Sequence, residues 1–133
     1  MKVKKREGFR PFAPSILAEK ADEWFRIPNK QLASSFMLFA YDVLKTKQKT
    51  IPAVPHVDGS SRIQTVQKSS NPKYHKLIEE FEKITEVPIL LNTSLNKLEP
   101  IVCSPQDAVN TMKKASLCYL VVGNFLVDNT WSK

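Results

Sequence analysis

Apolar positions recur along this chain at two spacings, and the switches between them mark its elements. Phe12 to Leu17 reads as a short strand or extended entry. From Ser15 to Phe25, the residues Leu17, Ala21, Trp24 and Phe25 fall at helical spacing. They predict a helix that exposes Glu19, Lys20, Asp22 and Glu23 and stops at Pro28-Asn29. Phe36 to Val43 is aromatic and apolar without helix caps, which predicts a strand. Lys45 to Thr50 is a polar connection, the stretch where disorder or variation is most expected. Pro52-Ala-Val-Pro55 is extended by its prolines and delivers a His56-Val-Asp-Gly turn. Arg62 to Val66 alternates, which predicts a strand with Arg62, Gln64 and Val66 on one face and Ile63 and Thr65 on the other.

Asn71-Pro72 is a helix start, with Asn as cap and Pro in the first turn. Tyr74, Leu77, Ile78, Phe81 and Ile84 continue it as an apolar stripe. Val87 to Leu91 is a continuous apolar run, predicting a strand buried on both faces. Ser104-Pro-Gln-Asp107 has capping-box spacing and opens a helix to about Lys114. Leu117 to Val122 and Phe125 to Val127 read as final strands. This alternation predicts an α/β fold, a twisted mixed sheet flanked by helices, with ligand sites at strand ends.

Composition narrows the picture. At 133 residues the chain reads as one domain over 1–133. No apolar run approaches the ~18 residues of a membrane span, and no apolar stretch follows the basic N-terminus as a secretory signal requires. Cys103 and Cys118 lack metal-ligand spacing and read as reduced core thiols of a cytoplasmic protein. The net charge is +7, with five cations in the first ten residues, which favours anionic partners. Lys2 and Lys5 read as a solvated tail. Lys4, Arg6 and Arg10 lead into an apolar segment that restricts them, although Arg6 has a surface pairing with Glu7 as its alternative.

Three polar clusters carry the candidate chemistry: Lys4 to Pro14, His56 to Val66, and Leu90 to Asn96 closed by Glu99-Pro-Ile-Val102. Together they offer cations, hydroxyls and amides. That inventory suits a phosphate-bearing small molecule better than a metal or a nucleophile–base pair. His56 and Asp58 share one side of an extended segment, but no nucleophile accompanies them and two ligands make a poor metal site. Asp58-Gly59 reads as a turn and His56 as a hydrogen-bonding anchor. His75 is expected on the exposed side of its helix start, and Glu99 is expected to hold its loop by accepting backbone N–H bonds.

The sequences Lys4-Lys-Arg6-Glu-Gly-Phe-Arg10-Pro-Phe-Ala-Pro14, His56-Val-Asp-Gly-Ser-Ser-Arg62-Ile-Gln-Thr-Val66, Asn71-Pro-Lys-Tyr-His75 and Asn92-Thr-Ser-Leu-Asn96-Lys-Leu-Glu-Pro-Ile-Val102 stand in this order. In that order they resemble the C-terminal domain of the O-carbamoyltransferases, the nodulation and antibiotic-tailoring enzymes. The departures are Leu95, where the family usually has Phe, and Pro55, where Thr is common. The resemblance implies a YrdC-like fold that binds ATP, Mg²⁺ and carbamoyl phosphate and forms carbamoyl-adenylate. A Kae1-like domain, N-terminal in the full enzyme, would then pass the carbamoyl group to an acceptor hydroxyl. It implies catalytic roles for Lys4, Arg10 and Arg62, and nucleotide contacts for Lys4, Arg6, Arg62, Ser94 and Asn96, with no metal ligands from the chain. Because the chain starts at the first motif, it is expected to be a piece of a larger two-domain enzyme. The rivals are a basic nucleic-acid-binding YrdC-like module and a non-catalytic docking fragment. Few aromatics interleave with the cations, only Phe9 and Phe12, which weighs against nucleic acid.

Overall fold

The computed structural model describes residues 11–28 and 34–130. These fall into two compact units, one over Pro11–Thr93 and one from Ser94 onward. In the first, β1 (Ala13–Leu17) is the middle strand of a mixed sheet ordered β5-β1-β6, where β5 is Gln64–Val66 and β6 is Ile89–Asn92. β5 runs parallel to β1 with Ser15 beside Gln64, and β6 runs antiparallel with Ala13 beside Asn92. Alternation along β1 divides its side chains between two cores. Leu17 meets Val66 and Ile78 on one face, under helix α1 (Pro72–Thr85). On the other face Ile16 joins Ile89, Trp24, Phe25, Tyr41, Val43 and Ile63. A second, antiparallel sheet is ordered β2-β3-β4, with β2 Phe25–Arg26, β3 Ala40–Val43 and β4 Ser60–Arg62. The mixed α/β expectation therefore holds, with the strands shared among small sheets.

Several local expectations change for tertiary reasons. The helix expected between Ser15 and Phe25 is a 3-10 helix over Ala18–Glu23. Leu17 pairs with Val66 and Phe25 with Val43, so the sheets claim the backbone at both ends and leave only Ala18 to Trp24 between them. The Phe36–Val43 strand begins only at Ala40, after Met37 turns the chain at φ 56°. Lys45 to Thr50 is a series of turns closed by Lys47 N–H to Leu44 O (2.8 Å) and Thr50 N–H to Lys47 O (3.0 Å). The Lys47 ammonium lies 4.4 Å from the centre of the Trp24 ring, a cation–π contact that pins this connection to the core. Arg62 and Gln64 do not share a strand face. The chain crosses between sheets at buried Ile63, so Arg62 pairs with Ala40 and Gln64 with Ser15.

Helix α1 starts as its sequence predicts, the Asn71 side chain accepting the Tyr74 N–H at 3.2 Å. Its buried face is different. His75 and Ile78 point inward, while Leu77 and Ile84 are exposed. His75 is not on the outer side of its helix start: its Nε2 lies 2.8 Å from Glu19 Oε1, and its Nδ1 3.4 Å from Glu79 Oε1. The imidazole thus joins the 3-10 helix to α1. β6 is covered on both faces, Ile89 packing in one core and Leu90 against the other, while Leu91 near its end is half-exposed.

The second unit packs α2 (Pro105–Ala115) against a hairpin of β7 (Tyr119–Val122) and β8 (Phe125–Asp128). Both halves of the capping box form: Ser104 Oγ accepts from Asp107 N, and Asp107 accepts from Ser104 N. Ala108 and Met112 meet Leu120 in this unit's core. The hairpin turns through Gly123 at φ 59°, where L side chains are strained. Cys103 and Cys118 are free thiols, but both are exposed rather than in the core. Among the described residues no helix is long and apolar enough to cross a membrane.

Candidate functional site

Three residues of β4 set the geometry around Arg62. Ser61 points inward and is fully buried, so Ser60 and Arg62 point outward together. Across the sheet, Asp42 lies beside Ser60, Ala40 beside Arg62, and Arg26 beside Asp42. The outward face therefore presents Arg26, Asp42, Ser60 and Arg62. Neither arginine forms an ion pair or a side-chain hydrogen bond among the described residues. A cavity of about 300 Å³ opens where Arg26, Asp42, Lys45, Gln48, Asp58 and Gly59 converge. Arg26 carried no sequence signal, because its two-residue strand follows a segment with helical periodicity.

The turn before β4 is tightly bonded. The His56 N–H donates to Ser60 O at 2.7 Å, and the Gly59 N–H to His56 O at 3.0 Å. Asp58 Oδ1 accepts the Ser60 N–H at 2.9 Å and the Ser60 hydroxyl at 2.7 Å, and Ser60 Oγ lies 3.2 Å from His56 Nδ1. The Ser60 backbone N–H, then its hydroxyl, hold the Asp58 carboxyl below its ordinary pKa, with a smaller contribution from His56. Gly59 suits this turn through its positive φ of 84°, and an added Cβ would also crowd Gln48, coming within 3.1 Å of its Nε2.

Past the crossover at Ile63, Gln64 links two of the motifs. Its Oε1 accepts from Ser15 Oγ and from Asn92 Nδ2, each at 2.7 Å, and its Nε2 donates to Ser35 O at 3.1 Å. Ser15 is fully buried, so these bonds satisfy a hydroxyl that would otherwise be stranded. Gln64 and Asn92 therefore organise the strands that carry the motifs.

Ser94 and Asn96 come together in the second unit. The Ser94 hydroxyl donates to Asn96 Oδ1 at 2.7 Å, and Asn96 Nδ2 donates to Glu99 O at 2.8 Å. Glu99 holds this loop, as expected. Its carboxylate accepts the Lys97 N–H (3.2 Å), the Leu98 N–H (3.3 Å) and the buried Thr111 hydroxyl (2.9 Å). Its own backbone N–H, the Thr111 hydroxyl and the Lys97 N–H lower its pKa from 4.5 to about 2. A carboxyl with a depressed folded pKa stabilises fully above its unfolded value and loses that contribution as pH falls through its folded one. The loop is therefore expected to loosen between about pH 4.5 and 2. In Glu99→Gln the amide signals of Lys97 and Leu98 should already be perturbed at pH 7 and should lose this acid dependence, as an NMR pH series would show. Lys4, Arg6 and Arg10 lie outside the described residues.

The chain is thus an α/β protein whose first unit sets two exposed arginines on a strand face and whose second unit anchors the Ser94–Asn96 loop on the Glu99 carboxylate. The chain matches the family described as Carbamoyltransferase C-terminus over residues 1–129, and it belongs to that family. It is 50% identical over 126 residues to nodulation protein NolNO of Sinorhizobium fredii, covering 94% of this chain and 18% of that protein. It is 49% identical to nodulation protein NolO of Bradyrhizobium diazoefficiens, covering 94% of this chain and 23% of that protein. With nodulation protein U of Azorhizobium caulinodans the identity is 40%, over 72% of this chain and 17% of that protein. The chain thus spans less than a quarter of the length of these relatives.

Proposed function

We propose that this chain is the part of an O-carbamoyltransferase that binds ATP and carbamoyl phosphate and forms carbamoyl-adenylate. In the full enzyme a Kae1-like N-terminal domain would pass the carbamoyl group to an acceptor hydroxyl. The observation that carries this reading, beyond family membership, is Arg62. It is exposed on the outward face of β4 with no ion pair among the described residues, and Arg26 stands on the same sheet face. A guanidinium held on a strand can take two phosphate oxygens at once.

The resemblance assigns Lys4 and Arg6 to the nucleotide phosphates and Arg10, like Arg62, to carbamoyl phosphate or the adenylate phosphate. Ser94 and Asn96 would contact the nucleotide, the Ser94 hydroxyl turning its proton from Asn96 to a phosphate oxygen. Fixed cations of this kind stabilise the charge that builds up as an acyl phosphate and ATP react. Mg²⁺ fits as the counter-ion of ATP. Phosphate and water oxygens would supply most of its ligands, as is usual for Mg²⁺ bound with a nucleotide.

Calorimetric titration with ATP and Mg²⁺, with and without carbamoyl phosphate, tests this reading. Saturable binding is expected, tighter when both ligands are present. No binding, even with the N-terminal region of a longer relative added back, would overturn it. Salt-sensitive RNA binding without a nucleotide effect would favour the nucleic-acid reading instead.

A further inference from the structure

We infer that His56 reads the acyl group of the ligand: its Nε2 is a hydrogen-bond acceptor that no described residue engages, on the turn that leads into the strand carrying Arg62, and it would receive an N–H of a carbamoyl group whose phosphate Arg62 holds. This inference rests on the function proposed above and adds a specificity-determining residue to it.

The argument begins with one proton. A serine hydroxyl has a single hydrogen to donate. Ser60 Oγ lies 2.7 Å from Asp58 Oδ1 and 3.2 Å from His56 Nδ1. An ionised carboxylate can only accept, so the Ser60 proton goes to Asp58. The contact between Ser60 Oγ and His56 Nδ1 then requires the proton to sit on Nδ1. In a neutral imidazole this leaves the lone pair on Nε2. No described residue bonds Nε2.

The backbone of the turn is closed by His56 N–H to Ser60 O and Gly59 N–H to His56 O, so the ring is positioned without using Nε2. Ser60, which holds the ring, and Arg62 are two residues apart on one strand and point outward together. An acyl phosphate lying along that face places its phosphate at Arg62 and its acyl end towards His56. A carbamoyl group offers two N–H donors there. An acetyl group has nearly the same shape and offers none.

Two measurements on the chain test this. Heteronuclear NMR of the labelled chain reports the His56 tautomer, expected as Nδ1–H and expected to shift towards Nε2–H in Ser60→Ala. Titrations then compare carbamoyl phosphate with acetyl phosphate. Carbamoyl phosphate should bind about fivefold to tenfold more tightly, the size of one added neutral hydrogen bond. His56→Ala should erase the preference while both ligands still depend on Arg62. Ser60→Ala keeps the ring but frees its tautomer, and should reduce the preference. An Nε2–H tautomer in the unliganded chain, or equal affinities with Arg62-dependent binding, overturns the role of His56 and leaves the proposed function standing. Binding of neither acyl phosphate overturns both.

Discussion

In Arg62→Ala the affinity for carbamoyl phosphate and for ATP·Mg²⁺ is expected to fall by about tenfold to a hundredfold. A charge-assisted hydrogen bond to phosphate is worth about 1.5–3 kcal/mol, and Arg62 can supply two. Folded stability should change by less than about 0.5 kcal/mol, because the side chain is exposed and takes part in no ion pair among the described residues. The two readouts separate a ligand role from a structural one. A guanidinium that merely braced β4 would lower stability when removed and leave affinity unchanged. Arg62→Lys adds a third comparison. It keeps the charge and loses the planar fork, so it should recover only part of the affinity. Equal binding by Arg62→Ala and the unmodified chain would remove Arg62 from the site.

The largest effect on stability is expected from Phe25→Ala. Phe25 is 1% exposed and packs with Ile16, Trp24, Tyr41, Val43 and Ile63, where both sheets of the first unit contribute side chains. Truncating a buried phenylalanine costs about 3–5 kcal/mol, through lost transfer energy and the cavity left behind. Since whole domains are stable by only about 5–15 kcal/mol, urea denaturation should show an early transition. Amide exchange at Val43, whose N–H bonds Gly59 O at 2.9 Å, should accelerate with it. Because that bond also steadies the turn carrying His56, ligand affinity should weaken as a secondary consequence. Phe36→Ala is the control. Phe36 is 81% exposed, and its loss should cost no more than about 0.5 kcal/mol.

The family motifs were legible in sequence as polar clusters, but the clusters did not show which of their residues face a ligand. Gln64 and Arg62 differ by two positions and looked equivalent on an alternating strand. One is committed to three hydrogen bonds within the fold, and the other has none among the described residues. Likewise Glu99 was readable as a loop anchor because its partners Lys97 and Leu98 are its neighbours. Arg26 was not readable as a surface cation of the site, because its place comes from pairing with Asp42, sixteen positions away.

By itself the sequence determined the features that short-range chemistry dictates. These are the Asn71 cap and Pro72 start of α1, the reciprocal Ser104–Asp107 box of α2, and the turn at Asp58-Gly59. Each is closed by groups within a few residues, so the local chain suffices to specify it. Tertiary structure decided the rest. It split Arg62 from Gln64 at Ile63, shortened the expected helix to the 3-10 turn of Ala18–Glu23, and turned His75 inward to Glu19 across 56 positions. In each case a backbone or polar group found its partner far along the chain. A buried hydrogen bond or strand pairing outweighs the few tenths of a kcal/mol by which local propensity favours one conformation.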